Sequence, residues 1–151
     1  MQKEELKSQL SSFHPALVFE EGGDWLTINI ETSQWAPFAN HIRYSEGLLF
    51  DYLFCLTCVD WKTHLGMVYH LSSTIHRHNM VVKSKLDRDR AEIETVCSIW
   101  KTAEFHEREV AELFGVNFVH HPDLRKLILP DDWVGFPLRK DYEDPVNMIK
   151  L

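Results

Sequence analysis

Cysteine is scarce in this sequence, and the three that are present form an odd number that suits no disulfide framework. This count favours a reducing compartment. Cys55 and Cys58 form a C-x-x-C pair inside a strand-like run, where side chains three residues apart point to opposite faces. We therefore expect ordinary small core residues there, not a redox pair or a zinc site.

Long apolar runs and an excess of basic charge are absent as well. The longest apolar run, YLFCLTCV, falls far short of the ~20 residues that a membrane-spanning helix needs. The formal net charge is −7, whereas nucleic-acid binding requires clustered Lys and Arg. The opening residues MQKEELKSQL carry acids and no apolar segment, unlike a secretory or transit peptide. We expect no direct membrane span and no nucleic-acid partner.

Catalytic and nucleotide-binding motifs are also missing. The chain has no G-x-S-x-G, P-loop or G-x-G-x-x-G sequence, so hydrolase, NTPase and dinucleotide-binding functions have no support. Nine histidines are more than usual, but no metal-site spacing adds a ligand to the pairs His76/His78 or His120/His121. We expect no catalytic, cofactor-binding or metal-binding residue. A free-standing metal enzyme using these histidines is the alternative from another functional class.

The periodicities that are present favour one α+β domain. Strand-like runs alternate between apolar and polar residues, as in a sheet with one buried face. The order helix, two strands, helix, three strands predicts a two-layer domain, with a mixed sheet and the helices on one face. The predicted elements are a helix at 3–12, a hairpin at 16–30, a helix capped by Ser33, and strands at 48–60, 64–71 and 79–86.

A further helix is predicted directly after the strands. Asp89 and Glu92 have the spacing of a capping box at a helix N-terminus. Apolar residues then recur at helical spacing from Ile93 to Trp100. We therefore expect a helix that begins near Asp89 and packs its apolar side against the core.

The last regular element predicted is a helix from Ala103 to Phe114, which Gly115 is well suited to end. Regular periodicity fades beyond that glycine. We therefore divide the chain into an α+β core domain with its closing helices at 1–115 and an extended C-terminal arm at 116–151.

The helix AEFHEREVAELFG places a carboxylate within its apolar stripe. At about 100° per residue, Glu107 shares a side with Val110. A lone buried carboxylate is costly, so we expect Glu107 to pair with Arg125 or Arg139. A general-acid role is the alternative, although no nucleophile or second catalytic group accompanies it. The opposite face, which meets either a partner or water, is predicted to carry Phe105, Arg108, Glu109 and Glu112.

The predicted arm lacks periodicity but is rich in apolar and aromatic side chains, so it does not have the composition of a disordered tail. Four of the six prolines lie in it, and each fixes φ. Trp, Tyr and Arg are the residue types that most often anchor interfaces. We expect the arm to pack partly on its own domain and to continue onto a neighbour through Trp133, Arg139, Lys140 and Tyr142.

Several short motifs, most of them in the C-terminal half of the chain, resemble those of the 30-kDa subunit family of respiratory complex I, whose members are also called C-type subunits. The resemblance rests on ERE (107–109), LFG (113–115), HPDLRKLILPDDW (121–133) and PLRKDY (137–142), with LTCVDW (56–61) upstream. The chain departs from the family pattern in three places. It has Glu112 where Asp is common, His120 where Gly is common, and Phe136 where His is common.

The resemblance implies a structural subunit in the hydrophilic arm of proton-translocating NADH:quinone oxidoreductase. It implies that the C-terminal arm packs along the D-type subunit, which forms the quinone site, and that FMN and the iron–sulfur clusters belong to neighbouring subunits. The complex would hold the chain at the cytoplasmic face of a bacterial inner membrane, or on the matrix side in an organelle. Equivalent subunits of ferredoxin-fed or F420-fed dehydrogenases and of membrane-bound hydrogenases are the alternative. The expected interface and structural residues are Glu107, Arg108, Glu109, Arg125, Trp133, Arg139, Lys140 and Tyr142.

Overall fold

Three helices and two sheets form an α+β fold in the computed structural model, which describes residues 2–149. The predicted α+β class is therefore confirmed. In chain order the elements are α1 (Lys3–Phe13), β1 (Val18–Glu20), β2 (Leu26–Asn29), α2 (Thr32–Tyr44), β3 (Tyr52–Asp60), β4 (His64–Ser72), β5 (Asn79–Asp87), β6 (Glu92–Glu94), α3 (Ala103–Phe114) and β7 (Asn117–Val119).

The larger sheet has five strands in the order β1-β2-β5-β4-β3. Strands β2 and β5 pair in parallel, whereas the other neighbours are antiparallel, so the sheet is mixed as predicted. Strand β4 alternates between buried and half-buried residues along its whole length. This alternation gives the sheet one inner face, which lies in the core, and one outer face.

The helices pack on the inner face through aromatic side chains. Helix α2 packs against β5 and α3 against β3. Trp35 of α2 lies 4.5 Å from the Tyr69 ring and stacks at 6.2 Å on Trp100, measured between ring centroids. The Trp100 indole N–H donates to the Phe50 carbonyl at 2.8 Å, so even this buried polar atom is satisfied. No helix within residues 2–149 is long and apolar enough to cross a membrane.

The helix predicted after Asp89 does not form, and that prediction was wrong. Ile93 lies instead at the centre of β6, which pairs in parallel with β7 more than twenty residues later. The Thr95 N–H continues the pairing by donating to the Val119 carbonyl at 3.0 Å. Asp89 caps no helix, and its own N–H donates to the Asp87 carboxylate. A remote strand partner thus overrides the local helical spacing.

Two element starts also differ from the prediction. Helix α2 begins at Thr32 after Glu31, and no side-chain hydrogen bond caps it, so Ser33 is not its cap. The run predicted as a strand from Leu48 turns first, because the Leu48 N–H donates to the Ser45 carbonyl, and β3 begins only at Tyr52. Helix α3, by contrast, has the predicted bounds and ends at Gly115 in the left-handed conformation, with φ 75°.

Candidate functional site in the C-terminal arm

The Glu107 carboxylate is fully buried beneath the segment that follows β6. Its two oxygens accept hydrogen bonds from the Thr95 hydroxyl at 2.5 Å and the Val96 N–H at 2.9 Å. Burial raises the pKa of Glu107 to about 7, although these two hydrogen bonds act in the opposite direction. The carboxylate is therefore held by neutral donors.

The arginine partners predicted for Glu107 were wrong. Arg125 pairs with Asp123 at 2.7 Å, and the Arg139 Nε–H donates to the Phe114 carbonyl at 2.6 Å. Thr95 belongs to the segment that the sequence pattern predicted as helix, so its position could not be anticipated.

Cys97, Glu107 and His121 bring their potential metal-ligand atoms within 4.8 Å of one another. The His121 Nδ1 atom accepts the Asp123 N–H at 3.0 Å, so in the neutral ring the proton lies on Nε2. The Nε2 atom donates to the Glu104 carbonyl at 3.2 Å and lies 3.7 Å from the Glu107 carboxylate. Both ring nitrogens of His121 are thus engaged in hydrogen bonds within the chain.

Glu112 lies on the face of α3 that was predicted to carry exposed charge, yet it is buried. Its carboxylate accepts the backbone N–H groups of Leu127, Ile128 and Leu129, at distances from 2.8 to 3.2 Å. Arg108 on the same helix donates to the carbonyls of residues 125 and 126. The arm itself therefore covers this part of α3.

The end of α3 is held by the next part of the arm. The Leu138 N–H donates to the Leu113 carbonyl at 3.0 Å, and the Arg139 side chain binds the Phe114 carbonyl. These carbonyls belong to the last turn of α3, where carbonyls have no partner within the helix. The Phe136 ring lies so close to Gly115 that a Cβ atom there would approach it to 2.6 Å.

A buried carboxylate at the end of β3 fastens the arm to the sheet. Asp60 accepts the Lys140 N–H and the Lys62 N–H, each at 2.8 Å, and forms an ion pair with Arg88. Arg88 also binds Asp141 at 2.8 Å. Burial acts to raise the pKa of Asp60, but these hydrogen bonds outweigh it and lower the pKa to about 2. We call Asp60, Arg88 and the Lys140 N–H the arm clasp.

Sequence reasoning missed both carboxylates that hold the arm. Asp60 comes directly after apolar strand residues in the run LTCVDW. A carboxylate at such a position was the signal in the sequence that could have indicated a paired, buried charge. Glu112 was noticed, but helical geometry assigned it to the wrong environment.

The remaining predicted site residues lie along the arm. The Lys126 ammonium donates to the Trp133 carbonyl at 2.7 Å, and the Trp133 ring is half-buried. The Tyr142 ring packs beside Gly135, which has φ 87°. The Lys140 side chain is exposed, although its backbone N–H belongs to the arm clasp. Glu109 lies at a groove between α3 and the arm.

His120 takes the place where the resembled family often has glycine. It adopts φ 64°, a left-handed conformation that favours glycine. Its Nδ1 atom lies 2.7 Å from the Glu94 carboxylate, which holds the side chain in place. The turn therefore forms with histidine.

The outward side of the arm is apolar and exposed. It carries Ile128, Val134 and Leu138, which are between 52% and 86% exposed. Exposed apolar side chains concentrated in one segment are candidates for contact with another protein. The arm thus combines an inward side fixed by hydrogen bonds with an outward side free for contact.

Comparison with known proteins finds relatives among the subunits of oxidoreductases. The chain is 46% identical over 112 residues to the fused C/D-type subunit of NADH-quinone oxidoreductase from Phocaeicola vulgatus. It is 45% identical over 105 residues to the C-type subunit of F(420)H(2) dehydrogenase from Methanosarcina mazei. The matches cover 73% and 67% of this chain but only 22% and 66% of the respective relatives. The chain therefore spans less than two thirds of each relative's length.

The fold also matches a solved structure. A chain of the membrane-bound sulfane sulfur reductase, an archaeal respiratory membrane complex, superposes with a TM-score of 0.80 at 27% identity. The match covers 93% of this chain and 85% of that one. The family model described as "Respiratory-chain NADH dehydrogenase, 30 Kd subunit" matches residues 28–146, which include most of the sheet, α3 and most of the arm. The chain belongs to this 30-kDa subunit family of the respiratory-chain NADH dehydrogenase.

Proposed function

We propose that this chain is a non-catalytic structural subunit of the hydrophilic arm of NADH:quinone oxidoreductase, docked through its C-terminal arm on the D-type subunit. The observation that carries the proposal is the two-sided arm. Its backbone is fixed to the domain by Asp60 and Glu112, while Ile128 and Leu138 face outward. A surface that is fixed before binding loses less conformational entropy when it docks.

The fused relative supports the D-type subunit as the partner. Its C/D designation describes one chain that contains both subunit types. Two proteins that occur as one chain in one organism are expected to contact each other where they are separate. The aromatic and charged positions proposed for this contact are Glu109, Trp133, Lys140 and Tyr142.

The proposed role in electron transfer is positional. FMN and the iron–sulfur clusters belong to neighbouring subunits, and this chain holds the D-type subunit rigidly beside them. A functional site must be supported to within about half an ångström, so a rigid neighbour affects quinone reduction without touching the quinone. The complex holds the chain peripherally at the cytoplasmic face of the membrane.

A second candidate differs only in the electron donor. The 45% identity to an F(420)H(2) dehydrogenase subunit favours an equivalent scaffold in a coenzyme F420-linked complex. The same arm would then dock on the corresponding neighbour there. The electron donor oxidised by the purified complex distinguishes the two candidates.

Disruption of the outward side of the arm tests the proposal. Ile128→Asp combined with Leu138→Asp places two charges on exposed positions and leaves the domain core untouched. Ile75→Asp, at a position 65% exposed outside the arm, is the matched control. With a tagged D-type subunit, we expect the double variant to co-purify at least about tenfold less than the control, because buried unpaired charges oppose association. Equal recovery of the two variants would overturn the proposal.

A further inference from the structure

The outer face of the larger sheet, which no helix covers within residues 2–149, carries several exposed aromatic side chains among its polar residues. A solvent-facing sheet surface normally carries polar residues at its outward positions. Here Val59 in β3 and Trp61, directly after that strand, are 36% and 58% exposed, and Trp25 and Tyr52 are 40% and 47% exposed. Aromatic residues of this kind are enriched where one protein contacts another.

One end of this face forms a groove of about 360 Å³. Its floor is Gly66 on β4, where a side chain would approach the Trp61 indole to 3.0 Å. The Trp61 ring therefore lies against bare backbone, and it stacks on His64 at 6.4 Å between centroids. Val59, Met67 and Val68 complete the apolar lining. Among the described residues, none from the C-terminal arm lines this groove, so it is separate from the arm surface.

The rim of the groove carries positive charge without a matching acid. Lys83 is paired with Glu20 at 2.8 Å, and Glu20 is the one carboxylate among the described lining residues. Lys85 on the same strand is exposed, and its ammonium group has no ion pair or hydrogen bond within residues 2–149. The chain as a whole has a net charge of −7. A free lysine beside an apolar floor therefore fits a carboxylate that another molecule supplies.

We propose that this groove is a second docking surface, which receives a segment of a neighbouring subunit other than the one held by the arm. The segment places an apolar side chain against the Trp61 ring, which itself covers Gly66, and a carboxylate beside Lys85. The inference rests on the proposed function insofar as it requires a multisubunit complex. It adds a contact on the opposite side of the sheet from the helices.

Cross-linking within the purified complex tests the carboxylate. A carbodiimide joins a lysine amine directly to a carboxylate in contact with it, and mass spectrometry identifies the joined residues. We expect a cross-link from Lys85 to an Asp or Glu of a different subunit, and none from Lys101, an exposed control that precedes α3. Cross-linking of Lys85 to a second copy of this chain, or no cross-link at all, would overturn the proposal.

Hydroxyl-radical footprinting tests the apolar part independently. Oxidation of Trp61 is compared between the isolated chain and the purified complex, with Tyr44, 60% exposed on α2, as the control ring. We expect Trp61 oxidation to fall at least about fivefold in the complex, because interface cores exclude water. Equal oxidation in both samples would overturn the groove but leave the proposed function standing. Failure of the chain to enter the complex would instead defeat the proposed function.

Discussion

The Asp60 carboxylate accepts the backbone N–H of Lys140 at 2.8 Å, although eighty residues separate them in the chain. This bond and the ion pair with Arg88 join the end of β3 to the arm. Removal of the Asp60 charge is therefore expected to release the arm and leave the sheet intact. With Asp60→Asn, we expect the free energy of releasing the arm from the domain to fall by about 2 kcal/mol, a value typical of hydrogen bonds to a charged group. Amide hydrogen exchange at residues 138–142 measures the release. Unchanged exchange there would contradict the role of the arm clasp.

The arm clasp should also respond to acid. Because hydrogen bonds lower the pKa of Asp60 from 3.8 to about 2, its contribution to stability is present above the unfolded value. That contribution is lost as the pH falls from about 4 to about 2. Limited proteolysis with pepsin across this range should cut the arm of the wild type only near the lower limit. Asp60→Asn should already be cut at the upper limit.

Glu112 and Glu109 lie on one helix and provide a matched pair. Glu112→Gln removes the negative charge and replaces one of the two acceptor oxygens by an amide donor, so at least one of the bonds from the N–H groups of residues 127–129 is lost and the others are weakened. We expect hydrogen exchange at Leu127, Ile128 and Leu129 to accelerate at least about tenfold, since a hydrogen bond to a charged group is worth about 1.5–3 kcal/mol. Glu109→Gln should leave it unchanged. Similar exchange in the two variants would disprove the assignment of Glu112.

Glu107 should give the stability of the fold a pH dependence opposite in sign to that of Asp60. Burial raises its pKa from 4.5 to about 7, so the folded state binds a proton more tightly than the unfolded state. Its contribution to stability is full below about pH 4.5 and decreases as the pH rises to 7, by on the order of 3 kcal/mol. Glu107→Gln should flatten this slope. Urea denaturation of both proteins at about pH 5 and about pH 8 measures how the free energy of unfolding changes between the two pH values. An equal change in the wild type and in the variant would exclude Glu107 as the cause.

Alanine substitutions at Gly115 and Gly22 distinguish the stability cost of backbone strain from that of steric contact. Both have positive φ, but a Cβ at Gly115 would meet the Phe136 ring at 2.6 Å, whereas nothing lies within 4 Å of one at Gly22. Gly22→Ala should cost about 1 kcal/mol from backbone strain alone. Gly115→Ala should cost about 1–3 kcal/mol more, as in other overpacked positions. Equal thermal midpoints for the two variants would show that Phe136 moves away freely.

Local patterns were reliable where neighbouring residues in the chain decide the structure. Helix α3 has its predicted bounds because the apolar spacing and Gly115 act within a few turns of the chain. Cys58 is buried in the core as predicted, whereas Cys55 is half-buried on β3 and lies outside the core cluster. The helix predicted after Asp89 does not form, because strand β7, which lies far away in the sequence, pairs with the same backbone groups.

The partners of the buried charges were decided by packing between distant segments. The sequence by itself determined that Glu107 lies in an apolar stripe and that the proline-rich part of the arm forms no regular element, whereas it did not predict that the arm begins with β7 at Asn117. Only the tertiary structure decided that Thr95 and Val96 bind Glu107, and that Glu112 and Asp60 hold the arm. The physical reason is that a carboxylate must be paired when it is buried, and helical periodicity predicts the burial but not the donor.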